Sequence, residues 1–237
     1  GITWSNSLNV AQMLDKSSYS ISLGNTHQDG IISSTGMDRY NVKVSADTKL
    51  TNNWSSGFTA NYITTSIDKA VTSGNGLLRT VYAAPPSYDL AGIPSHVDGN
   101  PYTQNSFRGS FDNAYWAMEN NKFTEDTNRF FGNVYASYQT DFGTTNHKLN
   151  AKYMVGVDAY TTHYVDSYGY GSNTGGGRGQ IENYGWTNAT YNSLLTINYD
   201  WHINEDWGLN AVVGNEIIQS NRKKYYEYGT NYNFPGW

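Results

Sequence analysis

NHKLNAKYMVGVDAYTTHYVDS, residues 146–167, is the stretch that decides the fold. From position 147 to 159, alternate residues read His, Leu, Ala, Tyr, Val, Val and Ala, whereas the residues between them, from 148 to 160, read Lys, Asn, Lys, Met, Gly, Asp and Tyr. Successive side chains of a strand point to opposite faces, so this pattern predicts a β-strand with one apolar face and one polar face. The strand is longer than the usual length of about five or six residues. Its length suits a strand that crosses a bilayer at a tilt and continues beyond it.

The composition excludes several classes of protein. The chain has 237 residues and a formal net charge of -5, which disfavours a general nucleic-acid binder, and it has no cysteine for a disulfide framework or a thiolate metal site. The mean hydropathy is -0.64 and there is no long apolar run, so we expect no transmembrane helix. A transmembrane β-barrel needs an apolar residue only at every second position. The 21 Tyr and 7 Trp suit strands and membrane interfaces, although composition alone fits a soluble Tyr-rich β-sandwich equally well.

The same alternation recurs along the chain and predicts about eight strands. They are placed at 2–11, 17–26, 38–50, 54–66, 128–141, 146–167, 186–203 and 207–223. A long connection, 67–127, holds four of the 5 Pro residues and a short predicted helix at 76–84, and a loop of this length is usually functional. The Tyr-rich tail, 224–237, is predicted to begin another loop.

Short and long connections alternate between these strands. Short turns fall near residue 15 and at 51–53, 142–146 and 204–206, and long loops fall at 27–37, 67–127 and 164–186. Short periplasmic turns and long extracellular loops are typical of an up-and-down outer-membrane barrel, and a sandwich gives no reason for such segregation. Aromatic residues near both strand ends suggest two interfacial girdles. These are Trp54, Phe142, Trp201 and Trp207 beside the short turns, and Tyr40, Tyr62, Phe130 and Tyr160 near the long loops.

Two segments carry a resemblance to a known family. Residues 24–40, GNTHQDGIISSTGMDRY, contain a strand that ends in Gly, a Gln-Asp-Gly-Ile loop at 28–31 and an Arg-Tyr-Asn start of the returning strand at 39–41. Residues 120–133, NNKFTEDTNRFFGN, form an Asn-rich entry to the strand that follows a long outer loop. Through these motifs the chain resembles the SusC/RagA-type TonB-dependent outer-membrane transporters over most of residues 1–140.

The resemblance implies a nutrient importer of the bacterial outer membrane. Such transporters import large nutrients such as oligosaccharides or peptides, with a SusD-like surface lipoprotein as a lid and the TonB complex as the energy source. They are several times longer, with a plug inside a barrel of about 22 strands. Residues 1–237 contain no plausible plug or TonB box, and the end, NYNFPGW, does not alternate. We therefore expect a partial barrel domain whose partners are the rest of its barrel, the lipid membrane, the lipoprotein and, through the missing plug region, TonB, with no nucleic acid.

No catalytic, cofactor or metal site is predicted, and we expect no enzyme activity. The 5 His are scattered without ligand spacing, and no Gly-x-Ser-x-Gly elbow occurs. The run GSNTGGGRG at 171–179 lacks the Gly-Lys-Ser/Thr ending of a phosphate loop and favours a flexible outer loop. The weak candidates for substrate contact are Tyr102, Tyr115 and Trp116, which resemble elements of the family's long outer loop and whose rings can stack on sugars. Packing within the loop, or a girdle contact, is the alternative interpretation.

Two further functions fit the pattern. One is a self-contained soluble β-sandwich that binds glycans through loop aromatics, and the other is a small, complete eight-stranded outer-membrane barrel. A chain that folds as a monomer in water without detergent would favour the sandwich. Hydrogen-bonded pairing of the first strand with the eighth would indicate the small closed barrel.

Overall fold

The chain folds into one large antiparallel sheet with a folded loop region at one end. The computed structural model describes residues 1–71, 76–143 and 146–235. Positions 72–75 of the long connection, 144–145 of the predicted turn 142–146 and 236–237 of the tail lie outside the described residues. The elements are β1 Thr3–Met13, β2 Ser17–Asp29, β3 Gly36–Lys49, β4 Trp54–Asp68, α1 Leu77–Ala83, β5 His96–Val97, β6 Asn100–Gln104, α2 Ala114–Asn120, β7 Lys122–Thr140, β8 His147–Tyr168, β9 Gln180–His202 and β10 Gly208–Thr230. A 3-10 turn, Thr174–Gly177, lies between β8 and β9.

The topology is an up-and-down meander. The eight long strands pair in the order β1-β2-β3-β4-β7-β8-β9-β10, and β5 and β6 form a separate hairpin inside the long connection. Every pairing is antiparallel, from β1 with β2 to β9 with β10. The predicted all-β, antiparallel up-and-down class is therefore confirmed, and the predicted helix at 76–84 is present as α1.

Three strands extend well beyond their predicted bounds. β9 begins at Gln180, six residues before the predicted start at 186. The tail segment 224–230, predicted as loop, is the outer end of β10 and pairs with residues 180–186 of β9. β7 begins at Lys122, six residues before the predicted start of the fifth strand at 128, and its first residues pair with the end of β8. Residues 122–127 and 180–185 are mostly polar and residues 224–230 are rich in Tyr, so the apolar alternation that marks the other strands is absent there. Backbone pairing with a neighbouring strand extended them nevertheless.

The registers place the apolar positions of neighbouring strands on one face. Val10 lies opposite Ile21, which lies opposite Val44, and Val44 lies opposite Ala60. These apolar side chains are not covered by a second layer: Val10 is 60% exposed, and Val155 of β8 is 42% exposed. The side chains with less than 2% of their surface exposed lie at the loop end of the molecule. They are Trp116, Asp112, Ser167 and Ser172.

The sheet curves so that its polar face is concave. A depression of about 750 Å³ is lined by residues of six different strands, from Lys43 of β3 to Glu216 of β10. Since neighbouring strands lie about 4.8 Å apart, one depression can touch six of them only if the sheet bends around it. The opposite, apolar face is therefore convex. No helix among the described residues is long and apolar enough to cross a membrane.

Both edges of the sheet lack a partner strand within the described residues. β1 pairs only with β2 and β10 only with β9, and the residues of β1 and nearly all of those of β10 are exposed. The first and eighth long strands are not neighbours, so this sheet does not close into the small eight-stranded barrel considered above. The strands also lengthen across the sheet, from 11 residues in β1 to 23 in β10, so the sheet is much taller on the side of β10.

Candidate functional site

The polarity of the two sheet faces reverses partway along the three longest strands. Tyr160 of β8, Asn188 of β9 and Arg222 of β10 lie opposite one another and mark the boundary. We call the part next to the short turns the lower half and the part next to the long loops the upper half. In the lower half the convex face carries Leu149, Ala151, Tyr153, Val155, Val157, Tyr191, Leu195, Ile197, Leu209, Val213 and Ile217.

Above the boundary the convex face becomes mostly polar. It carries Thr161, His163, Asn183, Thr187, Lys223 and Glu227, with Val165, Ile181 and Tyr225 as apolar exceptions. The concave face changes in the opposite sense. Its lower half includes Lys148, Lys152, Asp158, Asp200 and Glu216, whereas its upper half carries Tyr164, Tyr168, Tyr184, Trp186, Tyr226 and Tyr228. Tyr160 belongs to this concave face, so its predicted place in an outward-facing girdle was wrong: its position in the alternation is that of Lys152 and Asp158.

Two neighbouring rows of side chains define the upper concave face. One row runs across four strands as Glu125, Tyr164, Tyr184 and Tyr226, and the next runs as Phe123, Asp166, Glu182 and Tyr228. We call these eight residues the upper rows. Each row mixes aromatic rings with carboxylates.

The rings of the upper rows pack against one another rather than standing free. The centroids of Tyr164 and Tyr184 lie 4.9 Å apart with planes at 7°, and Trp186 packs on Tyr164 at 5.3 Å. Tyr226 continues the series at 6.4 Å from Tyr184. Aromatic pairs at such distances contribute about 0.5–1.5 kcal/mol beyond the area they bury. The packed rings therefore stabilise the upper half of β8, β9 and β10.

Carboxylates accept hydrogen bonds from the tyrosine hydroxyls of these rows. The Tyr184 hydroxyl donates to Oδ2 of Asp166 at 3.0 Å. Burial, with this hydrogen bond and the charge of Asp166, raises the pKa of Tyr184 to about 12. Burial and the nearby Glu125 carboxylate likewise raise the pKa of Tyr164. These hydroxyls therefore remain protonated donors at neutral pH.

Two cations contact the rings. The ammonium of Lys69, just after β4, lies 4.4 Å from the centroid of Tyr164 and 3.5 Å from Oε2 of Glu125. The guanidinium of Arg222 lies 4.8 Å from the Trp186 ring. An ammonium or guanidinium above a ring is attracted by the negative face of the π-system. The Tyr164 ring in the upper rows and the neighbouring Trp186 ring thus each contact a cation of the chain itself.

A cavity of about 630 Å³ opens beside the upper rows. The rows contribute Phe123, Asp166 and Tyr184 to its wall, and Lys69 lies in it as well. Ile31, Ile32 and Val71 supply the apolar part of the lining, from the β2–β3 connection and the start of the long connection. This volume falls within the range of about 300–1,000 Å³ that is common for small-molecule sites.

The long connection and the Gly-rich loop lie above this region, and we call them the roof. The roof is built around a buried carboxylate, Asp112, which is 1% exposed. Its Oδ1 accepts from Nε2 of Gln104 at 2.8 Å, from the backbone N–H of Asn173 at 2.7 Å and from Nδ2 of Asn173 at 2.8 Å, and its Oδ2 accepts from Oγ of Ser172 at 2.5 Å. Buried charge is tolerated where several donors satisfy it. Asp112 therefore clasps the long connection to the Gly-rich loop, which the sequence pattern had favoured as flexible.

The three predicted contact residues lie in this roof. Trp116 of α2 has no exposed surface, and its Nε1–H donates to the carbonyl oxygen of Pro101 at 2.8 Å. Tyr102 packs edge-on against Tyr170 at 6.5 Å, whereas Tyr115 is 41% exposed. Trp116 thus serves loop packing in this structure, and Tyr115 offers the most accessible ring of the three. A contact between any of them and substrate stays a prediction.

The concave face of the lower half is held by polar bonds across strands. The guanidinium of Arg129 donates to both carboxylate oxygens of Asp158, at 2.8 and 2.5 Å. The Tyr135 hydroxyl reaches across β4 and donates to Oδ1 of Asp47 at 2.6 Å. This crossing is possible because Gly57 lies between them on β4, where a Cβ atom would meet both side chains.

The upper rows did not stand out in the sequence, although one signal was present. After Ala159 the apolar set of β8 continues as Thr161 and His163, while the polar set continues as Tyr164 and Tyr168. Such an exchange of polarity between the two sets marks a change of surroundings along a single strand. Among the described residues, no group of three or more His, Asp or Glu is placed to hold a metal ion.

Comparison with known proteins finds this fold in solved structures. No family model matches the chain, and no curated protein matches it significantly. The chain is similar to the RagAB peptide importer in its closed-closed state, with a TM-score of 0.71 at 15% identity, and in its open-open state, with 0.73 at 16%. A structure of the RagAB peptide transporter gives 0.69 at 13%.

Each of these matches covers 98% of this chain and 26% of the other chain. This chain therefore spans about a quarter of the length of the chains it matches. At such identities the likeness shows the fold alone, which is an antiparallel, up-and-down segment of a larger β-barrel. The resemblance inferred from the sequence motifs agrees with these neighbours at the level of fold.

Proposed function

We propose that the chain forms part of the wall of an outer-membrane transporter of the SusC/RagA type, which imports large nutrients such as oligosaccharides or peptides. One observation carries the proposal: the convex face is apolar and exposed in the lower half and polar in the upper half. A wall that stands in lipid with its lower half and in water with its upper half requires this arrangement.

The apolar band has the height that a bilayer demands. On β8 the apolar set runs from Leu149 to Ala159, and a tilted transmembrane strand needs about 9–11 residues. Val213 and Ile217 of β10 are 68% and 61% exposed in the same band. A contiguous apolar surface of this extent is unfavourable in water and marks a surface that is covered in the working protein. Lipid is the covering that the proposal assigns.

The open edges fit a wall that continues. β10 presents 23 residues without an outer neighbour in the described part of the chain, and unpaired backbone groups cannot be left in lipid. The proposal therefore gives β1 and β10 further strands of the same barrel as neighbours. The match to about a quarter of the RagAB chains supports this reading.

The concave face and the loops take the functional roles. The polar lower half would line the lumen and face a plug, through which the TonB complex would supply energy. The roof around α2 would meet a SusD-like lipoprotein and cargo, with Tyr115 as its accessible ring. No covalent chemistry is part of the proposal. A soluble glycan-binding sandwich is disfavoured because the convex apolar face has no second layer of described residues against it.

Lipid dependence tests the membrane assignment. The protein is refolded in buffer, in detergent micelles and in phospholipid vesicles, and folding is followed by circular dichroism and protease resistance. We expect stable strand structure only with detergent or lipid, because the exposed apolar band needs an apolar solvent. A monodisperse, folded monomer in buffer alone would overturn the assignment in favour of the sandwich.

Uptake tests the transport assignment. Cells with and without the protein receive labelled pools of oligosaccharides and of peptides, in the presence and absence of a functional TonB complex. We expect protein-dependent uptake of one pool that is lost without TonB. Uptake of neither pool, with the protein correctly inserted in the outer membrane, would remove transport of these nutrients from the proposal.

A further inference from the structure

We propose that the cavity beside the upper rows is a binding site for an organic ammonium group carried on an apolar body. The wall of the cavity combines Phe123, Tyr184 and Asp166 with the aliphatic residues Ile31, Ile32 and Val71. The inference goes beyond the transport proposal, because a ligand that binds here need not be cargo. It rests on the cavity, on an uncompensated pair of carboxylates and on the way in which Lys69 is held.

The carboxylate in the cavity wall, Asp166, has a second carboxylate beside it on the next strand. Asp166 and Glu182 lie directly opposite each other on β8 and β9 and share the concave face. Like charges in directly opposite positions destabilise a sheet. Within the described part of the chain, neither carboxylate takes part in an ion pair, whereas Glu125 pairs with Lys69 at 3.5 Å. A cationic ligand would relieve this repulsion.

One acceptor atom at the cavity has no donor. Oδ2 of Asp166 accepts from the Tyr184 hydroxyl at 3.0 Å, but Oδ1 of Asp166 is buried without a hydrogen-bond partner among the described atoms. A buried acceptor without a partner costs about 1–3 kcal/mol. The Asp166 carboxylate therefore keeps capacity for a further donor, and an ammonium group carries three.

Lys69 shows how an ammonium fits against the upper rows. Its Nζ lies 4.4 Å from the Tyr164 centroid and 3.5 Å from the Glu125 carboxylate, so a ring and a carboxylate bind the same cation. Asp166 also lies beside a ring, because it accepts the hydrogen bond of the Tyr184 hydroxyl, but it takes no part in the described ion pairs. The Asp166 carboxylate in the cavity wall is the place that the ligand's ammonium would take.

The same geometry disfavours other ligands. Tyr164 and Tyr184 are stacked on each other at 4.9 Å with planes at 7°, so their facing surfaces are not free to lie against a sugar ring. Anions would meet Asp166 and Glu182. A divalent metal ion prefers a shell of oxygen ligands, whereas rings and aliphatic side chains make up most of this wall. An amine on an aromatic or aliphatic body matches both the charge and the lining.

Calorimetry with small probes tests the site in the detergent-solubilised protein. Phenethylamine, charged at neutral pH, is titrated beside 2-phenylethanol, which has a similar shape but no charge, and beside calcium chloride. We expect saturable binding of the amine and at least about tenfold weaker binding of the alcohol. No amine binding, equal binding of amine and alcohol, or preferential binding of calcium would each overturn the inference.

Two variants with opposite effects keep the test independent of folding. Asp166→Asn should weaken amine binding about tenfold, because it removes the charge beside the empty position. Lys69→Met should strengthen it at least about twofold, because it removes a competing cation and frees Glu125. Asp158→Asn, on the lower concave face, is the matched control and should leave binding unchanged. If Lys69→Met does not strengthen amine binding, the proposed ammonium site is wrong.

The outcome is separable from that of the transport proposal. Amine binding is measured in detergent and requires neither a lid, a plug nor TonB. A protein that inserts into vesicles and supports uptake but ignores the amine would overturn this site alone. A protein that binds the amine but supports no uptake would overturn transport alone.

Discussion

The lower and upper halves of β8, β9 and β10 have the same backbone geometry and opposite side-chain polarity. On the convex face of β8, Val155 in the lower half is replaced by Thr161 and His163 in the upper half, while Lys152 on the concave face gives way to Tyr164. Hydrogen-bonded pairing runs without interruption through both halves. A strand therefore forms whichever of its two faces is apolar. The surroundings of each half decide which face that is.

The two halves also differ in what holds their concave faces. In the lower half, charged and polar side chains bond across strands, as in Arg129 with Asp158. In the upper half, ring stacks such as Tyr164 on Tyr184 are added to bonds of this kind. A wet lumen favours exposed ion pairs that cost little to form, whereas a tall wall without lipid behind it gains stability from packed rings. Variants in the two halves can test this contrast.

Arginine on the convex face should separate the halves most clearly. Val155→Arg in the lower half should cost about 2–4 kcal/mol of stability in lipid vesicles, because it exposes a charge to hydrocarbon. Thr161→Arg lies about 20 Å further along the same strand and face, and should change stability by no more than about 0.5 kcal/mol. Denaturant unfolding in vesicles measures both.

Lys152→Gln is the second control for this pair. It lies on the concave face of the lower half and should be tolerated, because that face meets water. Equal costs for Val155→Arg and Thr161→Arg would contradict the boundary between the halves, and equal costs for Val155→Arg and Lys152→Gln would contradict the lipid-facing assignment altogether.

The roof over the upper half should depend on one carboxylate. Asp112→Ala leaves the side chains of Gln104, Ser172 and Asn173 without their buried acceptor, which should cost about 2–3 kcal/mol of local stability. Hydrogen exchange of residues 101–121 and 169–179 should rise, while the strands of the lower half stay protected. Asp206→Ala, in a short turn, is the control, and unchanged exchange in both loops would show that Asp112 is not the clasp.

A glycine in the lower half tests whether bonds across strands hold its concave face. Gly57→Val places a side chain where Asp47 and Tyr135 meet, and should cost about 1–2 kcal/mol through overpacking and the loss of their hydrogen bond. Gly214→Val is the matched control on the same face, since its Cβ would approach only the Leu195 carbonyl oxygen at 3.6 Å. Thermal unfolding in detergent compares the two, and a larger loss at Gly214 would contradict the crossing.

The smallest expected effect is a pH dependence on the polar convex face. His27 contacts Asp38 at 2.7 Å and Asp29 at 3.2 Å, and the hydrogen bond to Asp38 raises the pKa of His27 above its ordinary value of 6.5. Its stabilising contribution is therefore fully present below pH 6.5 and is lost as the pH rises through the raised folded-state pKa.

The protection of the β2–β3 connection against hydrogen exchange, corrected for the intrinsic pH dependence of exchange, should fall across this pH window in the natural protein. The His27→Gln variant should lose that pH dependence, because Gln does not titrate. Identical pH profiles for the two proteins would show that the histidine does not contribute charge to this connection.

The alternation in single strands made most of the sheet predictable, because it depends only on neighbours in sequence. Residues 146–167 predicted β8 to within two residues, and the short turns predicted the antiparallel order. The same reasoning failed at 224–230, where Tyr residues fall on both faces without an apolar alternation and only pairing with β9 made a strand. It also placed Tyr160 in a girdle, because an aromatic residue near a strand end does not reveal its face without the register.

The candidate site lay beyond what sequence pattern could reach. Asp166 and Glu182 are separated by a Gly-rich loop, and Lys69 and Tyr164 by most of the long connection, yet they meet in the upper rows. Asp112 carried no motif, although it is among the most buried side chains described. Such contacts depend on the register between strands and on the path of the loops, neither of which local periodicity contains.

The sequence by itself determined that the chain forms long two-faced strands joined by alternately short and long connections, because side-chain direction in a strand follows from local backbone geometry. Only the tertiary structure decided that the polar face is concave, that both edges lack a partner strand among the described residues and that rings and carboxylates share the upper rows. These features arise where strands are placed side by side, and it is that placement which turns an alternating pattern into a wall with a lower half and an upper half.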